Sequence, residues 1–328
     1  MTAPRTLALA VLLCLAPIVA AGCGDDASSS SGGGSGMTVV ATTTQAADFA
    51  RAVAGDRAKV VGLIPANADP HEYEVRPGDV KALADADVVI RSGADVDDWL
   101  ASAIDSSGAD ASEIVLIDHV DTIEGGADEH AADADHAAEG DHAVDPHWWQ
   151  DPHNTAKAVA EIEKGLAAAD ADGASTYARN AKAYTDQLTA LDTAVAACID
   201  KIPAAQRKLV TTHDALGYYA KRYGLEVIGA VIPSLTTQAQ ASAGEVTQLV
   251  DTIKQENVKA IFAESSVNPK LEQVVADQAG ATIGKALWAD TLGPKGSDGE
   301  TYLQSIASNT RAIADGLSDG TVSCTLPD

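Results

Sequence analysis

The sequence predicts an α/β protein of two lobes, each a parallel sheet of βαβ units, joined by one long rigid helix. The first observation behind this is an internal repeat. "MTVVATTTQAADFARAVAGDRAKVVGLIP" opens one half and "RKLVTTHDALGYYAKRYGLEVIGAVIP" opens the other. Each carries a short β-branched run, a Thr pair, a helical stretch, a second apolar run and Ile-Pro, so that Thr43 matches Thr212 and Pro65 matches Pro233. Strands alternating with helical segments point to parallel sheets. Second, "ADVVIRSG" parallels "VKAIFAESS", which extends the repeat into a further strand of each half. Third, Tyr177, Ala181, Tyr184, Leu188, Leu191, Val195 and Cys198 follow one another in steps of four and three, the spacing of a single helical face. A helix over residues 175 to 199 spans about 40 Å at the usual rise and suits a stiff strut. A shorter helix over 155 to 169 precedes it, set off by "ADG" at 171 to 173. A coiled coil fits less well, because the seam lasts only about three heptads and lacks consistent flanking charges.

At 328 residues and 46% hydrophobic, the chain can fill one large core or two modest ones. Only 4% is aromatic, so those cores rest on Ala, Val, Leu and Ile. The formal net charge of -26 repels nucleic acid and anionic lipid, which argues against both as partners of this surface, and keeps the protein soluble.

Arg5 followed by "LALAVLLCLAPIVAA" has the form of a signal peptide, residues 1–22, too short for a membrane span. It ends in "AAGC", small residues before a cysteine as in a bacterial lipobox, with Cys23 the acylated first residue of the mature chain. Ala20 stands where Leu is commoner, and ordinary secretory cleavage is the alternative. The Ser/Gly-rich stretch 23–36 reads as a tether from a lipid anchor. Cys14 leaves with the signal, so Cys198 and Cys324 remain. They are either a disulfide that staples the C-terminal tail or two separate thiols. The expected division is a first lobe over 37–153, linking helices over 154–201 and a second lobe over 202–328. Within the first lobe, residues 121–145 hold no Lys or Arg and carry His130, His136 and His142 at steps of six. With little to bury, they read as a mobile acidic loop and an auxiliary metal-binding segment.

Catalytic signatures are missing. "HEYEV" has Val75 where HExxH needs its second His, "GATIGK" lacks phosphate-loop spacing, and no GxSxG occurs. Four loops instead offer metal ligands: His71 in "PANADPHEYE", His147 in "AVDPHWWQDP", His213 in "LVTTHDALG" and Asp290 in "ALWADTLG". Ligand sites of open α/β sheets lie beyond the carboxyl ends of the strands, so two facing lobes bring these loops into one inter-lobe cleft. Three imidazoles and a carboxylate suit a tetrahedral Zn²⁺. Each residue alone has an ordinary reading as a hydrogen-bonding loop residue or, for Asp290, a cap. His119 and His153 are read that way. The set carries the case.

In these stretches the chain resembles the TroA-like family, the solute-binding receptors of bacterial zinc and manganese ABC importers. "DPHEYEVRPGDV", "DPHWWQDPHN", "TTHDALGYYAKRYGL", "AIFAESSVNPK" and "ADTLGPKGSDGETYL" match its landmarks in order. The resemblance implies two α/β lobes on one long helix and ligands at His71, His147, His213 and Asp290. It also implies a zinc cargo, because His213 stands where manganese receptors tend to carry a carboxylate. A His-bearing acidic loop before the second ligand, where 121–145 lies, is frequent among zinc receptors. Glu264 of "ESS" then either fixes the tautomer of a ligand imidazole or is an ordinary polar residue at a strand end.

The expected protein is a monomeric receptor outside the cytoplasm that passes Zn²⁺ to a membrane permease and its ATPase. The alternatives are a manganese receptor, a zinc-dependent surface hydrolase, and a lipoprotein for cell adhesion with a structural zinc.

Overall fold

The computed structural model describes residues 36–125 and 144–327. Cys23, His130, His136 and His142 lie outside them. In the first lobe β1 (Met37–Ala41), α1 (Thr44–Ala54), β2 (Ala58–Gly62), α2 (Pro77–Ala84), β3 (Val88–Arg91), α3 (Trp99–Ser107) and β4 (Ser112–Val115) form a parallel sheet of order β2-β1-β3-β4. Two connecting helices follow, α4 (Pro152–Ala169) and α5 (Ala174–Ile199). The second lobe contains β5 (Lys208–Thr211), α6 (Gly217–Tyr223), β6 (Glu226–Ala230), α7 (Ala243–Glu256), β7 (Ala260–Ile261), α8 (Lys270–Ala279), β8 (Thr282–Ile283) and α9 (Tyr302–Leu317). Its strands pair as β5-β6 and β7-β8. A parallel bridge from Thr211 to Phe262 and the Phe262 N–H to Val210 carbonyl bond (2.9 Å) join the two pairs. The resulting order β6-β5-β7-β8 repeats that of the first lobe.

The repeat is real, but its register differs by one residue from the Thr43–Thr212 match. Ile64 N–H donates to the Thr42 carbonyl, and Ile232 N–H donates to the Thr212 carbonyl. With the two Ile-Pro pairs superposed, Thr212 takes the place of Thr42 and His213 that of Thr43. Side chains agree. Thr42 Oγ1 accepts from Ser92 N–H and donates to Asp97, while Thr212 Oγ1 accepts from Glu264 N–H and donates to Glu272. Counting residues from the Thr pair hid this, because the first half has three Thr in a row. Thr43 caps α1 by accepting from Ala46 N–H. Its counterpart His213 is thereby free of capping and turns its ring elsewhere.

Successive strand residues face opposite sides of a sheet. Val39 and Ile90 therefore join the inner core, whereas Val40 and Val89 pack outward with Leu83 and Leu100 of α2 and α3. In the second lobe Leu209 and Phe262 face inward, and Val210 and Ile261 pack against α7 and α8. The α5 helix, about 39 Å long from its 26 residues, buries all seven of its seam residues. That seam belongs to one hydrophobic core shared with both inner sheet faces. The strut is thus a common wall rather than a bare rod, so large independent swings of the lobes would open the core. Cys198 at the end of α5 is bonded to Cys324 in the tail, with Cα atoms 5.5 Å apart. Among the described residues no helix is long and apolar enough to cross a membrane.

Candidate metal centre

The site grows from a local device used three times. Asp-Pro-His occurs at 69–71, 145–147 and 151–153. In each copy the Asp carboxylate accepts the backbone N–H of the His two residues on, at 2.9, 2.9 and 2.8 Å. Pro fixes the intervening φ, and the Asp side chain closes the turn. In the third copy this turn caps α4, with Pro152 in its first turn, and His153 is exposed. In the other two the imidazole points between the lobes.

The Trp pair after His147 explains why that residue sits at the junction. Both indoles are fully buried. Trp148 Nε1–H donates to the Ser92 carbonyl of the first lobe (3.2 Å), and Trp149 Nε1–H donates to the Ala289 carbonyl of the second (3.0 Å). Gln150 Nε2 donates to the same Ala289 carbonyl at 2.7 Å, which fixes the chain one residue before Asp290.

His71, His147, His213 and Asp290 converge, with one ligand atom of each within 4.8 Å of every other. They form the one such cluster among the described residues. Asp290 Oδ2 lies 3.4 Å from His71 Nε2 and 3.1 Å from His213 Nε2, and its Oδ1 lies 3.4 Å from His147 Nε2. The four side chains are 0 to 3% exposed. Among the described residues neither Asp290 oxygen nor His71 Nε2 has a hydrogen-bond partner, although all three atoms are buried. A buried carboxylate without donors is costly unless a cation faces it, and a divalent ion at the centre fits all three orphaned atoms.

Two of the rings are aimed by carboxylates behind them. His147 Nδ1 lies 2.8 Å from Asp145, and His213 Nδ1 lies 2.6 Å from Glu264, which also accepts His213 N–H at 3.2 Å. A carboxylate on Nδ1 keeps the proton there and turns the Nε2 lone pair toward the site. Asp145 is in turn hemmed by Gly217, where an added Cβ would stand 2.9 Å from Asp145 Oδ2. Sequence reasoning missed Asp145, Trp149 and Gln150. The triple Asp-Pro-His was the available signal for Asp145.

Electrostatics follow from the same packing. Burial opposes charge on His213, yet the Glu264 and Asp290 carboxylates outweigh it and hold the pKa well above the ordinary imidazole value. For His71 burial again works downward, and Asp290 carries the pKa up. Burial alone would raise Asp290, but the His213 and His147 rings hold it well below the usual carboxylate range. Burial raises Glu264 in spite of His213. Glu264→Gln keeps the shape and removes the charge behind His213, and it should weaken Zn²⁺ binding about 10- to 100-fold in a chelator-competition titration. His119 is exposed, with Nδ1 3.7 Å from Glu161, and stands apart from the centre.

Three imidazoles and a carboxylate, buried together between two α/β lobes, make a centre that could hold a divalent metal ion. The family model described as zinc-uptake complex component A, periplasmic, matches residues 39–316. The manganese-binding lipoprotein MntA of Halalkalibacterium halodurans is 30% identical over 308 residues, 92% of this chain and 95% of that one. The manganese ABC transporter substrate-binding lipoprotein PsaA of Streptococcus pneumoniae is 28% identical over 284 residues, 83% of this chain and 86% of that one. The structure of the periplasmic zinc binding protein TroA from Treponema pallidum covers 86% of this chain and 99% of its own at TM-score 0.75 and 26% identity. The chain belongs to the zinc-uptake complex component A family, the metal-binding receptors of ABC importers, which are not enzymes.

Proposed function

We propose that this receptor captures Zn²⁺ outside the cytoplasm and hands it, as a monomer, to a permease driven by an ATPase. One observation carries the choice of metal. The third ligand position is His213, so the donor set is three imidazoles and one carboxylate, and imidazole suits zinc better than it suits the harder Mn²⁺. In this reading 37–153 and 202–328 are the two jaws and 154–201 their connector. Cys23 carries the lipid, and 23–36 is the tether. His71, His147, His213 and Asp290 are the ligands, with Glu264 holding the tautomer of His213.

A manganese cargo is the second reading. It is favoured by the manganese named for two relatives and by Asp290, whose two oxygens both lie within 3.4 Å of a ligand imidazole nitrogen. Affinity alone does not separate the two, because nearly any such site holds Zn²⁺ more tightly than Mn²⁺. Uptake does. Cells lacking the gene and supplied with the wild-type chain are expected to regain uptake of radioactive zinc and to show no change for manganese. Restored manganese uptake with zinc unchanged overturns the zinc reading and leaves the receptor reading standing.

Affinity should also depend on pH. The ligands must be neutral imidazoles, and His71 and His213 have raised pKa values in the metal-free chain. Protons therefore compete from above the ordinary value of about 6.5 downward, while Asp290 stays ionised. The sign for the metal-free fold is opposite. A raised imidazole pKa stabilises it at low pH, and that contribution fades as pH rises through the folded-state value. Calorimetric titrations from pH 8 to pH 5 are expected to show Zn²⁺ affinity falling by about tenfold per unit for each proton displaced. A flat profile would count against imidazole ligation.

A further inference from the structure

The four ligands are not held alike. His147 and His213 rest on buried carboxylates, and Asp290 follows a carbonyl fixed by two donors. Among the described residues His71 has no carboxylate within ion-pair distance of its Nδ1, and its loop lies nearest to solvent. Tyr73 ties the far side of that loop to Leu63 in its own lobe, and the remaining ties come from the other lobe. Asp69 takes the His71 N–H on one oxygen and the Thr237 hydroxyl on the other, at 2.9 and 2.7 Å. Gln238 Nε2 donates to the His71 carbonyl. Upstream, Asn67 N–H donates to the Leu292 carbonyl (2.9 Å) and to Thr291 Oγ1 (3.0 Å), next to Asp290. Thr237 and Gln238 lie in the segment between β6 and α7, with Gln238 standing 167 residues from His71 in sequence.

We infer that Thr237 and Gln238 are positioning residues, an inter-lobe clasp that holds His71 on the metal and sets how fast the ion leaves. The inference rests on reading His71 as a ligand. Three donors belong to buried, doubly secured elements. The fourth is on a half-buried loop whose own backbone bonds cross the cleft. The ligand that detaches at least cost goes first, so His71 is the exit step. A clasp on its two backbone groups raises the barrier to that step without touching the ion. Both clasp contacts are polar and partly accessible, so they break with little loss of core packing. The closed core shared by the lobes makes such a loop movement the available route for release.

The test is stopped-flow release of Zn²⁺ from the loaded mature chain into excess EDTA. Thr237→Val and Gln238→Ala are expected to release the ion about five- to tenfold faster than wild type, the effect of one lost hydrogen bond. Thr237→Ser, which keeps the hydroxyl, should release at the wild-type rate. In the metal-free chain, amide exchange at His71 should quicken in Thr237→Val, because Asp69 loses its second tether. Wild-type release by Thr237→Val, or equal acceleration by Thr237→Ser, overturns the clasp. His71→Ala separates the two ideas. If it binds Zn²⁺ as tightly as wild type, the ligand reading itself fails, whatever the clasp variants do.

Discussion

His147→Ala is expected to weaken Zn²⁺ binding about 10³-fold, the largest change any single substitution here should produce. Total free energies for four-ligand zinc sites are about 10–16 kcal/mol, so one donor of four carries roughly 2.5–4 kcal/mol, and a fully buried one stands at the upper end. His147 is also the ligand with least freedom to be replaced. Its ring is fully buried, backed by Asp145, and carried on a backbone tied to both lobes through Trp148 and Trp149. Water can enter the space left by the ring, but it brings no comparable basicity. At a zinc concentration that gives the wild type about 4 kcal/mol of added stability, the variant should show almost no thermal shift. His153→Ala is the control. It alters the same Asp-Pro-His turn where the ring is exposed, and it should bind zinc as the wild type does. Chelator-competition titration measures both. Equal affinities for wild type and His147→Ala would remove this residue from the site.

Cys324→Ser is expected to be the most destabilising change away from the metal. The bond to Cys198 closes a loop of 126 residues, for which chain entropy gives an upper figure of about 5 kcal/mol, with measured bridges nearer 2–4 kcal/mol. Packing also holds the tail, since Leu326, Val322 and Cys324 lie against the main core. Leu326 is buried, Arg311 donates to its carbonyl at 3.1 Å, and Lys201 reaches the Ser323 carbonyl at 3.4 Å. For a chain of this size the loss should lower the thermal midpoint by several degrees, about 2–4 °C per kcal/mol. Zinc affinity should stay close to wild type, because the bridge joins the end of α5 to the C-terminal tail and none of the four ligands lies in either. An unchanged midpoint between oxidised wild type and Cys324→Ser would show that the bridge contributes nothing to stability.

Much of this molecule is written in local signals. The α5 face was legible because a helix with one buried side repeats at 3.6 residues, and the seven apolar positions named from spacing are all buried. The β-branched runs marked β1, β2 and β5 for the same kind of reason. The match of "VKAIFAESS" to the first half marked β7, whereas β8 was blurred, since two paired residues leave no alternation to detect. The one-residue slip between the halves arose because sequence identity at Thr does not encode which Thr donates to which acidic partner. At the site, residue type and loop position were enough to name four ligand candidates. The groups that aim them were harder to see. Asp145 acts through a turn whose pattern is local and repeated, so it was open to inspection. Trp149, Gln150, Thr237 and Gln238 act across the cleft, and nothing in their own neighbourhoods announces a partner more than a hundred residues away.

The most direct measurement is anomalous diffraction at the zinc absorption edge from crystals of the mature chain grown with equimolar Zn²⁺. One strong peak is expected between the lobes, within about 2.0–2.2 Å of His71 Nε2, His147 Nε2, His213 Nε2 and an Asp290 oxygen. A peak held by other side chains, or an ion that leaves two of these four unbound, would contradict the assignment of this cluster as the metal-binding centre.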